Sequence, residues 1–160
     1  KKTENRNKLL DKKAFTIAGN PKKTYLPPKR LSVVPDFDFS PLDESHKRLE
    51  ASAWKYEKAL AGIKKGVLSA ENKSQVNQLL REVEQAMTRS DGLPRRKWFK
   101  NMIYAPGFYT GYGVKTLPGI REGLEERNWD ETHFYILEVA KALDRAAAKI
   151  NAAADILKAS

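Results

Sequence analysis

Apolar positions recur at alternating spacings of four and three through Leu42, His46, Leu49, Ala53, Tyr56, Leu60 and Ile63. This stripe predicts a helix over about 40 to 65, opened by Ser40 as cap with Pro41 at the first helical position and stopped by Gly66. Ser69 then caps a second helix to about residue 90, where Val76, Leu80, Val83 and Met87 repeat the spacing until Asp91-Gly92-Leu93-Pro94 breaks it. A third long helix is predicted over 130 to 158, with Ile136, Val139, Leu143, Ala146, Ile150, Ala153 and Leu157 as its core stripe. Beside that stripe run Ala140, Ala147 and Ala154, seven apart, with Ala142, Ala148 and Ala152 next to them. Alanine is a good helix former, which is one reading of this composition. The other is that small residues admit a second helix surface at close range, making Ala140, Ala147 and Ala154 a candidate dimer interface.

The remaining segments are less regular. Residues 3 to 18 read as a helix with Leu9, Leu10, Ala14, Ile17 and Ala18 on one broad face, ended by Gly19-Asn20-Pro21. An extended arm follows to about Phe39, expected to be pinned by Tyr25, Leu26, Val33 and Val34. Residues 93 to 116 have no helical period but hold Trp98, Phe99, Ile103, Tyr104, Phe108, Tyr109 and Tyr112 among glycines and Pro106. So aromatic a stretch predicts an ordered loop rather than a polar linker. Thr116 is placed as the cap of a short helix over Leu117 to about Glu126, with Pro118 tolerated in its first turn. The fold class is therefore all-α: an up-down helical bundle with a long ordered aromatic and glycine-rich loop. One domain over 1–160 is expected, with 1–38 as N-terminal helix and arm and 39–160 as the bundle.

Composition narrows the function. A chain of 160 residues that is 41% hydrophobic can close one core. Cysteine is absent, which excludes disulfides and thiolate sites. No apolar run approaches the roughly 20 residues of a membrane span, so no membrane contact by this domain is expected. The opening residues lack both Met and the apolar core of a signal peptide, as in a piece cut from a longer chain. The formal charge of +10 invites a nucleic-acid reading, but residues 1 to 38 carry +6 of it in an irregular arm. The one dense cluster elsewhere is Arg95, Arg96, Lys97 and Lys100 with Trp98 and Phe99, and it matches no known nucleic-acid reading module. No nucleic-acid partner is expected, although a basic nucleic-acid-binding bundle remains an alternative.

Groups able to carry catalysis are scarce. The two histidines, His46 and His133, have no partner at metal-ligand spacing; His46 falls on the core stripe and His133 in a first turn, so both are assigned structural roles. Glu125-Glu126 near Asp130-Glu131 reads best as solvated charge near helix ends, with cation binding as the alternative. The segment Gly111-Tyr112-Gly113-Val114-Lys115-Thr116 fails as a phosphate loop, which requires glycine directly before Lys-Thr where Val114 stands. What it retains is tyrosine hydroxyls and free backbone N–H groups able to hold a small anion or carboxylate. No catalytic residue, cofactor site or metal site is expected in this chain.

The stretch Ile103-Tyr104-Ala105-Pro106, then Gly107 to Thr116, then Leu117-Pro118-Gly119-Ile120-Arg121-Glu122-Gly123-Leu124 closely resembles the signature of the transferrin receptor-like dimerisation domain. Gly92-Leu93-Pro94 upstream, the run from Phe37 to Leu42 before the first long helix, and the alanine-rich terminal helix agree in order, so the resemblance covers essentially the whole chain. It implies a C-terminal homodimerisation domain of a glutamate carboxypeptidase-like zinc peptidase, with the chain itself and the peptidase domain of the same protein as partners. Zinc and its ligands would lie in that absent peptidase domain, leaving this domain without activity of its own. The whole protein would be secreted, periplasmic or membrane-anchored, with this domain outside the cytoplasm. The resemblance also implies that the loop between Tyr104 and Leu117 shapes the pocket for the substrate's C-terminal residue, with Tyr109, Gly111, Tyr112 and Lys115 as substrate-binding positions. Glutamate-selective members place a lysine-tyrosine pair there; Tyr112 matches the tyrosine, whereas Gly111 stands where the lysine would be and Lys115 compensates in part only if it turns inward. The alternative within the resemblance is a ligand-binding domain of a receptor-like homologue that has lost catalysis.

Overall fold

The computed structural model describes residues 1–17, 26–63 and 68–159, and the chain divides into two compact units, Lys1–Asp36 and Phe37–Ser160. In the first, α1 (Lys2–Asp11) and α2 (Ala14–Ile17) replace the single helix expected over 3 to 18. The chain breaks at Lys13, whose φ of 54° lies in the left-handed region. Of the side chains expected to pin the arm, Leu26, Val33 and Val34 are exposed. Asn7 holds it. Its amide donates to the Leu31 carbonyl at 2.8 Å and accepts from the Leu31 N–H at 3.2 Å, while Arg30 pairs with Asp11. Ala18 to Tyr25 and Gly66, which the sequence assigns to the helix end, the arm and a stop signal, lie outside the described residues.

The second unit is built on α3 (Ser40–Ala61), α4 (Ala70–Ala86), α5 (Pro118–Glu126) and α6 (Trp129–Lys158), so the all-α expectation holds. Starts are set by local chemistry. Asp38 accepts the Ser40 N–H ahead of α3, Ser69 accepts the Asn72 N–H at the start of α4, and Asn128 accepts the Glu131 N–H at the start of α6. Thr116 does not cap α5. The position before that helix is Leu117, in the left-handed region at φ 47°, and Thr116 belongs to a strand.

Helix α6 runs between α3 and α4. Arg48–Asp144, Ser52–Asn151 and Lys55–Asp155 rise together along α3 and α6, so those two are parallel; Glu82–Lys149 and Arg89–Glu138 run oppositely, so α4 is antiparallel. This is the up-down-up order the sequence predicts. Its phase on α3 is different. The buried positions are Ser45, Ser52 and Ala59, flanked by half-buried Leu42, Leu49, Tyr56 and Ile63. His46, Ala53 and Leu60 are exposed, so His46 is no core histidine. The serines tolerate burial because each hydroxyl donates to a carbonyl of its own helix, Leu42 for Ser45 and Arg48 for Ser52.

On α6 the predicted core stripe is buried except for half-buried Ile150, but Ala140, Ala147 and Ala154 are also only 5%, 5% and 0% exposed within the single chain. They lie on the side of α6 that carries Asp144 and Asn151 toward α3, where the small Ser45, Ser52 and Ala59 repeat at the same seven-residue interval. Two small-residue rows admit close approach of the helices. The cover that the alanine row predicts from a partner is thus supplied by α3. One apolar cluster joins Leu93, Met102, Ala105 and Ile120 to Tyr135, Ile136, Val139 and Leu143; another joins Ala59 and Val76 to Ala153, Ala154 and Leu157.

Candidate functional site

The aromatic stretch is a folded hairpin rather than a plain loop. β1 (Tyr104–Pro106) pairs antiparallel with β2 (Val114–Thr116) in the register Tyr104↔Thr116, Ala105↔Lys115 and Pro106↔Val114. Prolines and glycines hide these short strands from a periodicity reading, and Pro106 sits at a strand end, where a missing N–H is tolerated. Between the strands, Gly107 N–H donates to the Gly113 carbonyl at 3.0 Å, Gly111 N–H to Gly107 at 3.0 Å and Tyr112 N–H to Thr110 at 2.7 Å. Gly111 adopts φ +66°, the region that favours glycine.

The upstream turn is equally determined. Gly92 adopts φ +70°, and a Cβ there would stand 2.1 Å from the Lys97 carbonyl oxygen, so only glycine fits. Leu93 N–H donates to the Phe99 carbonyl at 2.8 Å, and Met102 N–H to Met87 at 3.1 Å, tying the turn to the end of α4. The consequence is placement of Arg95 and Arg96 over α5 and α6. Arg96 is 3% exposed, and its guanidinium donates twice to the Glu122 carboxylate, at 2.8 and 2.9 Å. Arg95 donates to Glu131 at 2.9 and 3.1 Å and faces Glu126 at 3.4 Å. Two members of the predicted basic cluster are therefore consumed in ion pairs, leaving Lys97, Trp98 and Lys100 at the surface.

Glu122 reaches this position because α5 touches α6 through glycine. A Cβ at Gly119 would meet the Tyr135 ring at 2.4 Å, and one at Gly123 would meet the Thr132 hydroxyl at 2.6 Å. A carboxylate on such a face is 1% exposed and needs partners. It has several: both Arg96 donors, the Phe108 N–H at 2.9 Å, and the Lys115 ammonium at 4.0 Å. Burial alone would raise its pKa; the Arg96 hydrogen bonds, the Phe108 N–H and the charges of Arg96 and Lys115 outweigh that and hold it below the ordinary glutamate value.

The substrate-binding positions expected from the resemblance separate into two groups. Tyr109, Gly111 and Tyr112 come together at the exposed tip, and the Tyr112 side chain is fully solvated. Lys115 lies beneath them, buried on β2, with its ammonium 2.5 Å from Glu125. It turns toward α5. Phe108 forms the boundary: its ring packs edge-on against Tyr109 with centroids 4.9 Å apart and stands 5.6 Å from both the Arg95 and Arg96 guanidinium carbons. Glu122 and Arg96, the residues organising the site, are ones that sequence reasoning assigns no such role. Among the described residues no three His, Asp or Glu side chains gather in a group fit for a metal ion; His46 and His133 are both exposed.

Residues 37–151 match the transferrin receptor-like dimerisation domain. The chain is also similar to a probable glutamate carboxypeptidase of Arabidopsis thaliana, at 29% identity over 118 residues, covering 69% of this chain and 17% of that protein. A probable glutamate carboxypeptidase of Arthroderma benhamiae is 28% identical over 124 residues, covering 78% of this chain and again 17% of the relative. The chain thus spans about a sixth of the length of the curated relatives it matches.

Proposed function

Because the chain belongs to the transferrin receptor-like dimerisation domain family, we propose that it is the self-associating module of a glutamate carboxypeptidase-like zinc peptidase and lends its 107–113 loop to that enzyme's substrate pocket. Zinc and the groups that activate water belong to the peptidase domain in this reading. This chain contributes association and binding, not bond cleavage.

The observation that carries the proposal is the division of aromatics at the hairpin tip. Phe108 turns toward the ion pairs below, whereas Tyr109 and Tyr112 face outward from a backbone closed by its own hydrogen bonds. An outward tyrosine on a backbone closed by its own hydrogen bonds presents a hydroxyl that can donate to a carboxylate, with the side-chain rotamers but little of the backbone left to order. Gly111 adds no side chain and Lys115 is committed to Glu125, so neither of them sets a cation beside Tyr112, on which recognition rests. The pocket would hold one substrate carboxylate and show no strong preference for an acidic C-terminal side chain.

The test is Tyr112→Phe in the full-length peptidase. Loss of one hydrogen bond to a charged group, about 1.5 to 3 kcal/mol, corresponds to a fall of about 10- to 100-fold in kcat/KM. An unchanged value removes the loop from the pocket.

A further inference from the structure

We propose that Glu122 is the positioning residue of the 107–113 loop, a carboxylate latch on α5 that fixes the loop's first turn through the Phe108 N–H and is itself fixed by Arg96. The proposal rests on the reading of this loop as pocket-forming, and it supplies what that reading needs: a reason why an exposed tip keeps one shape.

Hydrogen bonds within the tip close its backbone on itself but do not orient it. Gly107 to Gly113, Gly111 to Gly107 and Tyr112 to Thr110 are all bonds within the exposed tip, and they open more often once nothing ties the tip to the helix beneath it. The Phe108 amide is different. It donates to Glu122 Oε1 at 2.9 Å, fourteen residues away on α5, and so ties the start of the tip to a helix packed through glycine against α6. Glu122 has no freedom to follow a moving loop, because Arg96 holds both its oxygens in a fork of two parallel hydrogen bonds. Oε1 accepts from both Arg96 Nη2 and the Phe108 N–H, so the ion pair and the loop share one atom. The Phe108 ring, between two guanidinium groups and the Tyr109 ring, adds a second contact from the same residue. Tyr109 and Tyr112 then stand one and four residues beyond a fixed point.

The test is amide hydrogen exchange, read residue by residue, in the wild-type chain and two variants. Replacing Arg96→Met and Glu122→Leu together removes the acceptor without leaving a buried charge unpaired, so the variant keeps an apolar, filled site. Glu122→Gln removes the charge but retains an oxygen opposite the Phe108 N–H. In the double variant, exchange at Phe108, Gly111 and Tyr112 should rise tenfold or more, with Ile136 and Val139 on α6 unchanged. Glu122→Gln should restore much of the protection at Gly111 and Tyr112. If Glu122→Gln fails to fold, the double variant alone decides. Unchanged loop amides in the double variant overturn the latch. So does a parallel rise at loop and α6 amides, which would make Glu122 a support of the core only. None of these amides reports on substrate, so this result and that of Tyr112→Phe fail independently.

Discussion

Asn151 on α6 donates its side-chain amide to the Ser52 hydroxyl on α3 at 2.8 Å, and that hydroxyl in turn donates to the Arg48 carbonyl at 2.7 Å. A single buried oxygen is thus satisfied from both sides, and two helices approach over residues no larger than serine and alanine. Ala147 sits four residues before Asn151 on the same side of α6. Ala147→Arg should therefore disturb the fold itself. Overpacking costs about 1 to 3 kcal/mol, and taking a guanidinium out of water between the helices adds to it. The urea midpoint should drop accordingly with the m-value kept; a midpoint within error of wild type would mean that α3 and α6 are not in close contact here.

The Arg96–Glu122 pair predicts an asymmetry between single and double replacements. Arg96→Ala strands a carboxylate that is 1% exposed and should cost about 3 to 5 kcal/mol. Arg96→Met combined with Glu122→Leu should cost clearly less, because no charge is left unpaired. Equilibrium unfolding of both proteins checks the order, and a double variant less stable than the single one contradicts it.

The depressed pKa of Glu122 fixes the sign of an acid effect. A carboxylate held below its ordinary value contributes stability that is fully present above that ordinary value of 4.5 and is lost as pH falls through the folded-state value. Unfolding free energy should therefore decline as pH is lowered from about 5 into the acid range, and the decline should be shallower in the Arg96→Met, Glu122→Leu variant. Identical slopes in the two proteins would show that other carboxylates carry the acid sensitivity.

What the sequence makes legible follows from how each feature is encoded. The three long helices are carried by periodicity and by turn residues, both local, and they stand where predicted within a few residues. The α3 phase is misread because a hydrophobic stripe and a small-residue row overlap: Ser45 and Ser52 look polar, while His46 and Leu60 look like better core residues. Burial there is decided by how near α6 comes, which no property of α3 alone records. The hairpin is missed because β1 and β2 are three residues each, too short for an alternating pattern. The loop signature itself is legible, since residues 37–151 match the family. The Arg96–Glu122 pair beneath it is missed, although the sequence carries part of its signal. Gly119 and Gly123 one turn apart mark a face of close approach, and Glu122 on that face demands a buried cation, but that Arg96 supplies it depends on the Gly92 turn bringing distant residues together.

Self-association is the role the family name carries, and the burial of Ala147 moves the expected surface from the alanine row predicted by sequence to the outward strip of α6 beside it. That strip holds Phe134 at 42% and Leu137 at 36% exposure, followed by Lys141, Ala148 and Ala152. Ala148 lines both a shallow groove toward α3, with Arg48, Ala51 and Lys55, and another toward α4, with Gln85 and Ala86. Small residues along a helix flanked by two grooves allow a second copy to approach as closely as α3 does on the adjoining side. Ala148→Arg should weaken dimers at least tenfold by sedimentation equilibrium while leaving the urea midpoint within about 0.5 kcal/mol of wild type, since the position is exposed in the single chain. Ala147→Arg supplies the contrast, because it loses stability before it loses association. Dimers undiminished by Ala148→Arg would place the interface on another face, and a wild-type chain that stays monomeric at high concentration would mean that association requires the peptidase domain as well.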